Sequence, residues 1–209
     1  MSRGRFITLE GGEGAGKSTQ VGLLAERLKA MNIPVVVTRE PGGSPGAEEI
    51  RKLLVRGEPG RWDALTEALL MFAARADHVA RNIRPALARG AWVVCDRFTD
   101  STYAYQGAGR GLPAETIRGL EEAVLGGFEP ELTLVLDLPV EEGLRRAHAR
   151  RGAETRFERF DTAFHEKLRT AFRKIAQDHP QRCVMIDARG AKNDVAALIW
   201  QTVAKRFNL

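Results

Sequence analysis

Cysteine is scarce in this sequence: Cys95 and Cys183 are the only two in 209 residues, and they lie far apart. That excludes a disulfide framework, and with Cys95 inside an apolar run it predicts buried thiols in a reducing compartment. Histidine is also sparse, and His78, His148, His165 and His179 lack metal-ligand spacing. No apolar run approaches the ~20 residues that cross a bilayer. Met1 to Arg5 leads straight into an apolar strand rather than a signal peptide. The expectation is a cytoplasmic protein without a membrane partner. Linkers, repeats and low-complexity tracts are absent, and 44% hydrophobic residues suffice for one core, so residues 1–209 read as a single domain. A concentrated basic tract is missing too. The net charge is +5 and arginine exceeds lysine more than threefold, but the arginines are spread, with a modest cluster from Arg145 to Arg159. This argues against a nucleic-acid partner and suits bidentate clamping of small phosphates, with other arginines on solvated faces.

What is present is a strand, Arg5–Glu10, running into Gly11-x-x-x-x-Gly16-Lys17-Ser18, with the helical pattern Val21, Leu23, Leu24, Leu28 behind it. Strand, glycine-rich loop and helix are the context that a phosphate-binding loop requires. Glycines let consecutive backbone N–H groups turn inward around a phosphate, and the helix N-terminus adds partial positive charge. Residues Gly11, Gly12, Glu13, Gly14, Ala15, Gly16, Lys17, Ser18 and Thr19 are therefore assigned to a nucleoside triphosphate, ATP by the resemblance described below. Lys17 reaches the β/γ-phosphates and the Ser18 hydroxyl holds Mg²⁺.

Short apolar runs at Arg5–Glu10, Pro34–Thr38, Trp92–Asp96, Leu132–Asp137 and Cys183–Asp187 predict five strands. Helical patterns fall at about 17–31, 46–56, 63–89, 113–125, 140–149, 162–177 and 193–207. The alternation predicts an α/β fold, a doubly wound parallel sheet with helices on both faces. Ligands of such sheets lie at the C-terminal strand ends, which here carry Glu10, Thr38 to Glu40, Asp96-Arg97 and Asp137.

Asp96, ending the third strand near the loop, stands where a Mg²⁺-supporting carboxylate belongs, and Arg97 beside it suits a phosphate; a plain surface ion pair is the bland alternative. The segment Phe98 to Gln106 is rich in hydroxyls with one amide, fit either to bond a base and wall off a sugar or to start a capped helix. Met71 and Arg75, four apart, share a helix face with Phe72 one position round, which suits either base stacking or a core stripe with a snorkelling arginine. Arg51 is either a phosphate contact or part of a solvated face. The basic stretch Arg150–Arg159 reads as a lid at about 150–160 or as a charged surface loop.

Together these segments resemble the bacterial thymidylate kinases, over nearly the whole chain. The specific pieces are Glu10-Gly-Gly-Glu-Gly-Ala-Gly-Lys-Ser-Thr-Gln20, Thr38-Arg-Glu-Pro-Gly-Gly43, Phe72-Ala-Ala-Arg75, Asp96-Arg-Phe98, Ala104-Tyr-Gln-Gly107 and Pro130 to Asp137. The resemblance implies a P-loop NTPase fold, a three-layer αβα sandwich with a five-stranded parallel sheet and a short arginine-rich lid. It implies γ-phosphoryl transfer from Mg²⁺-ATP to dTMP, and a homodimer formed through the 63–89 region. By resemblance, Glu13 approaches the deoxyribose 3′-hydroxyl and Arg75 faces the thymine carbonyl. Thr102 and Gln106 contact the base, and Tyr105 packs where a ribose 2′-hydroxyl would sit. Arg51 and Arg97 grip the monophosphate, Glu40 lines the acceptor pocket, and either Met71 or Phe72 packs on the base. Lys17, Asp96, Arg97 and the lid arginines Arg151 and Arg156 are then the catalytic set. Thr155 stands where that family's lid commonly has Asp. Other acceptors on the same fold, or a P-loop ATPase acting with a macromolecule, are the alternatives.

Overall fold

The computed structural model describes residues 4–149 and 156–209. Five apolar runs become strands β1 (Phe6–Glu10), β2 (Val35–Arg39), β3 (Trp92–Asp96), β4 (Leu132–Asp137) and β5 (Cys183–Asp187). They form one all-parallel sheet in the order β2-β3-β1-β4-β5. Each strand lies within one residue of its expected bounds, because continuous Val/Leu/Ile runs suit a sheet covered on both faces.

Side-chain alternation divides the sheet between two cores. Ile7, Leu9, Val94, Leu134 and Leu136 face helices α1 (Lys17–Ala30) and α9 (Lys192–Phe207), meeting Leu24, Leu28, Val195 and Ile199. On the opposite side, Phe6, Val93 and Cys95 meet Ile83, Phe98 and Leu125, while Val135 meets Phe164, Leu168 and Phe172 of α8 (Thr162–Asp178). Full burial of such a side chain stabilises by about 1.5–3 kcal/mol. This is the three-layer αβα arrangement. Among the described residues no helix is long and apolar enough to cross a membrane.

Between β2 and β3 run α2 (Pro45–Val55), α3 (Ala64–His78) and α4 (Arg84–Ala88). The sequence predicts one helix over 63–89, but a wide π-helical turn, Val79–Ile83, separates α3 from α4. Pro85 has no N–H to donate and its ring crowds the preceding turn, so regular helix gives way just before it. A second difference follows β3. The segment read either as a base-contacting stretch or as a capped helix start forms α5 (Thr99–Thr102) and another π-helical stretch, Tyr103–Gly109. That wide stretch carries Tyr105 and Gln106, and such insertions recur at functional sites. Helices α6 (Ala114–Leu125) and α7 (Val140–His148) flank β4.

A polar seam anchors α5. Arg182 donates to both carboxylate oxygens of buried Asp100, at 2.7 Å each, and to Thr133 Oγ1 at 2.9 Å. Thr133 in turn lies 2.9 Å from Thr8 on β1. The start of α5 is thereby pinned against β1 and β4, which fixes the segment after Asp96 and Arg97.

Candidate active site

The phosphate loop turns on glycines in the left-handed region, Gly14 at φ 69° and Gly16 at φ 91°. Gly14 also admits α7 closely, since a Cβ there would fall 1.9 Å from the Gly143 carbonyl oxygen. No other residue satisfies both conditions. Lys17 opens α1 and donates to the Gly11 and Gly12 carbonyls at 3.0 and 2.7 Å. Burial, followed by repulsion from Arg97, lowers its pKa to about 8, with Glu13, Asp96 and Glu10 opposing. Ala15 packs into the core beneath the loop and Thr19 is exposed on α1. What these two offer a phosphate is backbone.

Ser18 donates to Asp96 Oδ2 at 2.5 Å, joining the loop to the end of β3. Asp96 Oδ1 is buried without a partner, an orphaned anionic oxygen beside a hydroxyl. Hard oxygen donors of this kind fit a divalent cation such as Mg²⁺. No group of three or more His, Cys, Asp or Glu suited to a metal occurs among the described residues. An ion here would take its remaining ligands from water and phosphate, as Mg²⁺ usually does.

Arg97 follows in a left-handed conformation, φ 70°, uncommon for a side-chain-bearing residue and often found where function fixes geometry. Its Nη1 donates to the Gly11 carbonyl and Ser101 Oγ at 3.0 and 3.1 Å. Its Nη2 donates to Glu13 Oε1 at 3.0 Å and the Tyr105 hydroxyl at 2.8 Å. The Tyr105 hydroxyl in turn donates to Glu13 Oε1 at 2.7 Å. Burial pushes the Glu13 carboxyl up, but Arg97, Lys17 and the Tyr105 hydroxyl outweigh it and hold the pKa at about 2. Glu13 is thus a fixed anion. The same burial and the Glu13 charge drive the Tyr105 phenol upward, so it stays a donor. Glu10, at the end of β1, accepts from the Phe98 and Ser101 amides and the Ser101 hydroxyl. Burial and nearby Asp100 raise its pKa to about 7.

Across the cleft, Arg75 on α3 is only 2% exposed. Its Nε donates to Glu40 at 2.7 Å, and its Nη2 to the Phe98 carbonyl at 3.2 Å and Thr102 Oγ1 at 3.1 Å. The third nitrogen, Nη1, is buried with no partner. Glu40 is shared with His78 Nδ1 at 2.9 Å, and His78 Nε2 lies 2.6 Å from Thr38 Oγ1. A chain Thr38–His78–Glu40–Arg75 therefore sets one guanidinium in place. Gly43 (φ 88°) makes room for it, because a Cβ would lie 2.3 Å from the His78 ring. Phe72 supports the guanidinium of Arg75 from below, at 4.7 Å from its ring centre.

These groups enclose one cleft of about 520 Å³ at the C-terminal strand ends, as the sheet rule requires. Glu13, Lys17, Ser18, Glu40, Arg51, Met71, Arg75, Asp96, Arg97, Thr102, Tyr105 and Gln106 all line it. Between the two base-stacking candidates, Met71 faces the cleft, whereas Phe72 is buried beneath Arg75 and does not line it. Arg51 donates to the Pro41 carbonyl at 2.6 Å, at the cleft wall. The lid assignment fares differently. Arg151 and Thr155 lie outside the described residues. Arg156 does not line the cleft. It is 1% exposed, donates to the carbonyls of Leu54, Glu58 and Pro59, and pairs with Glu67. Arg156 thereby ties the start of the described segment after residue 155 to α2 and α3. Phe157 and Glu158 line the cleft in its stead.

Sequence reasoning overlooks His78, Ser101 and Glu67. A signal existed for two of them. Glu67, Met71, Arg75 and His78 are spaced 4, 4 and 3, one face of α3, and acids on a buried face need partners.

Comparison with known proteins agrees with the geometry. A family model for thymidylate kinase matches residues 9–199. Thymidylate kinase of Caulobacter vibrioides is 60% identical over 209 residues, all of both chains. That of Afipia carboxidovorans is 56% identical over 98% of this chain and 91% of its own. The crystal structure of thymidylate kinase from Ehrlichia chaffeensis superposes with a TM-score of 0.78 at 34% identity, covering 96% of this chain and 99% of that one. The chain belongs to the thymidylate kinase family, nucleoside monophosphate kinases on the P-loop fold.

Proposed function

We propose that this cleft performs the thymidylate kinase reaction, ATP + dTMP → ADP + dTDP, with the residues assigned as follows. The observation that carries it is the pairing, in one cleft, of a phosphate loop with a donor-lined pocket at Arg75. The nucleophile is an oxygen of the dTMP phosphate, whose second pKa of ~6 leaves it mostly dianionic at pH 7. No general base is needed. Catalysis is alignment plus charge neutralisation. The loop amides and Lys17 hold the donor phosphates, with Lys17 leaving the Gly11 and Gly12 carbonyls for them. Arg97, aided by Arg51, neutralises the acceptor phosphate. Ser18 and Asp96 would hold Mg²⁺, which would supply charge neutralisation for the donor phosphates. Glu13, kept ionised, receives the sugar 3′-hydroxyl. Tyr105 stands against the sugar and excludes a 2′-hydroxyl. Arg75 Nη1 donates to the base carbonyl, and Met71 covers the ring. Among the lid arginines Arg151 is the candidate for the transferring phosphoryl, and Arg156 reaches it only by leaving Glu67.

We further assign residues 1–209 to one domain with a lid at about 150–160, acting in the cytoplasm, where the two buried free thiols Cys95 and Cys183 would stay reduced. Leu65 and Leu69, four apart on α3 and 44% and 48% exposed, support a homodimer through this region. The direct test is ³¹P NMR of Mg²⁺-ATP mixed with dTMP and enzyme. One-to-one formation of ADP and dTDP is expected. Formation of inorganic phosphate without dTDP would refute the assignment.

A further inference from the structure

The base pocket contains a polar group whose orientation is decided from behind. Gln106 lines the cleft, and its side-chain amide has two faces of opposite hydrogen-bonding sense. Its Nε2 donates to Glu67 Oε1 at 2.7 Å, with both residues at most 1% exposed. A carboxylate at Glu67 only accepts, and two guanidiniums lie against it. Its Oε2 lies 3.1 Å from Arg110 Nη1 and against Arg156 Nη1. Turning the amide over would set its oxygen against the carboxylate. The oxygen is therefore the group that Gln106 offers to the cleft.

We propose that Glu67 is a positioning residue for base selection: it locks the Gln106 amide so that the pocket presents one acceptor, Gln106 Oε1, beside one donor, Arg75 Nη1. That pair complements an imide, in which a ring N–H adjoins a carbonyl. A cytosine-type edge, with a ring-nitrogen acceptor beside an amino donor, meets like against like at both points. The inference rests on the assignment of dTMP as acceptor above, and it adds a residue that does not itself touch the base.

The test compares dissociation constants of dTMP and dCMP for wild type, Glu67→Gln, Gln106→Leu and the double variant, by isothermal titration. Glu67→Gln frees the amide to turn, and the dTMP preference over dCMP is expected to shrink about tenfold or more, the usual effect of an ill-matched buried polar group. In the Gln106→Leu background the same change is expected to leave the ratio unaltered. A carboxylate that merely stabilised the fold would weaken both ligands alike, and an unchanged ratio in Glu67→Gln would overturn the proposal. Should that variant fail to fold, the wild type decides. The Gln106 side-chain NH₂ resonances, assigned by their absence in Gln106→Leu, are expected to exchange slowly with solvent and to shift little when dTMP binds. Rapid exchange, or a large shift showing the NH₂ turned to the base, would refute it. Wild type that binds no dTMP would overturn the functional assignment itself, whereas tight dTMP binding with an unaltered ratio sinks only the role of Glu67.

Discussion

Replacing Arg97 by alanine removes four hydrogen bonds from the centre of the cleft, to Gly11, Ser101, Glu13 and Tyr105. Breaking a fully buried ion pair costs about 3–5 kcal/mol. Here the side chains of Arg97 and Glu13 retain 15% and 16% exposure, and Glu13 keeps Tyr105 and the field of Lys17. The loss should be nearer about 2–3 kcal/mol. In a chain of this size that lowers Tm by about 5–10 °C. The protein stays folded. The effect on turnover is larger, because the proposed role of the lost charge is to neutralise the acceptor phosphate: kcat should fall by about 10²-fold or more. Arg97→Lys restores a charge but not the planar fork that reaches four acceptors, so it should recover part of Tm and little of kcat. The assays are circular dichroism melting and dTMP-dependent ADP release at saturating substrates. A folded Arg97→Ala with kcat within about threefold of wild type, set against that expected 10²-fold loss, would remove Arg97 from the mechanism.

Other expectations follow from the same contacts. With Lys17 depressed to about 8 from an ordinary 10.5, kcat/KM for ATP should decline as pH rises through about 8, up to tenfold per unit. Folding stability moves oppositely for this group: between about 8 and 10.5 the unfolded chain holds more protons, so stability from Lys17 rises with pH. An increase of kcat/KM across that window would contradict the assignment. Tyr105→Phe keeps the ring and should preserve rejection of the ribonucleotide, while Tyr105→Ala should relax it; equal selectivity in both variants would show that the ring does not read the sugar. Chelation of divalent ions should abolish turnover, and Asp96→Asn should raise the Mg²⁺ concentration for half-maximal rate by about tenfold or more. An unchanged Mg²⁺ requirement would place the ion elsewhere.

Much of the site is legible in the sequence because strand ends and the phosphate loop are local features. Gly11 to Ser18 dictates its own loop, and Asp96-Arg97 sits at the end of an apolar run whose length is plain. The rest depends on contacts distant in sequence. Arg75 reads as a donor on a helix face, but its immobilisation requires Glu40 from β2's end and His78 from the next turn. The break at Val79–Ile83 is written in Pro85, yet the wide stretch Tyr103–Gly109 carries no proline and depends on packing against α8, where a Cβ at Gly109 would strike Phe164 at 2.5 Å. Arg156 shows the limit most clearly. A basic segment between helices reads as a lid reaching for phosphate, but the buried acid that captures this arginine lies on α3, and only the fold brings the two together.

Acceptor selectivity tests the central claim most directly: kcat/KM from ADP release with Mg²⁺-ATP and dTMP, dUMP, ribothymidine monophosphate, AMP, CMP or GMP in turn. Turnover with dTMP, weaker with dUMP and lost with the others is expected from a pocket walled by Tyr105 and read by Arg75. Comparable turnover with AMP or CMP would leave the phosphate loop standing and contradict the pocket.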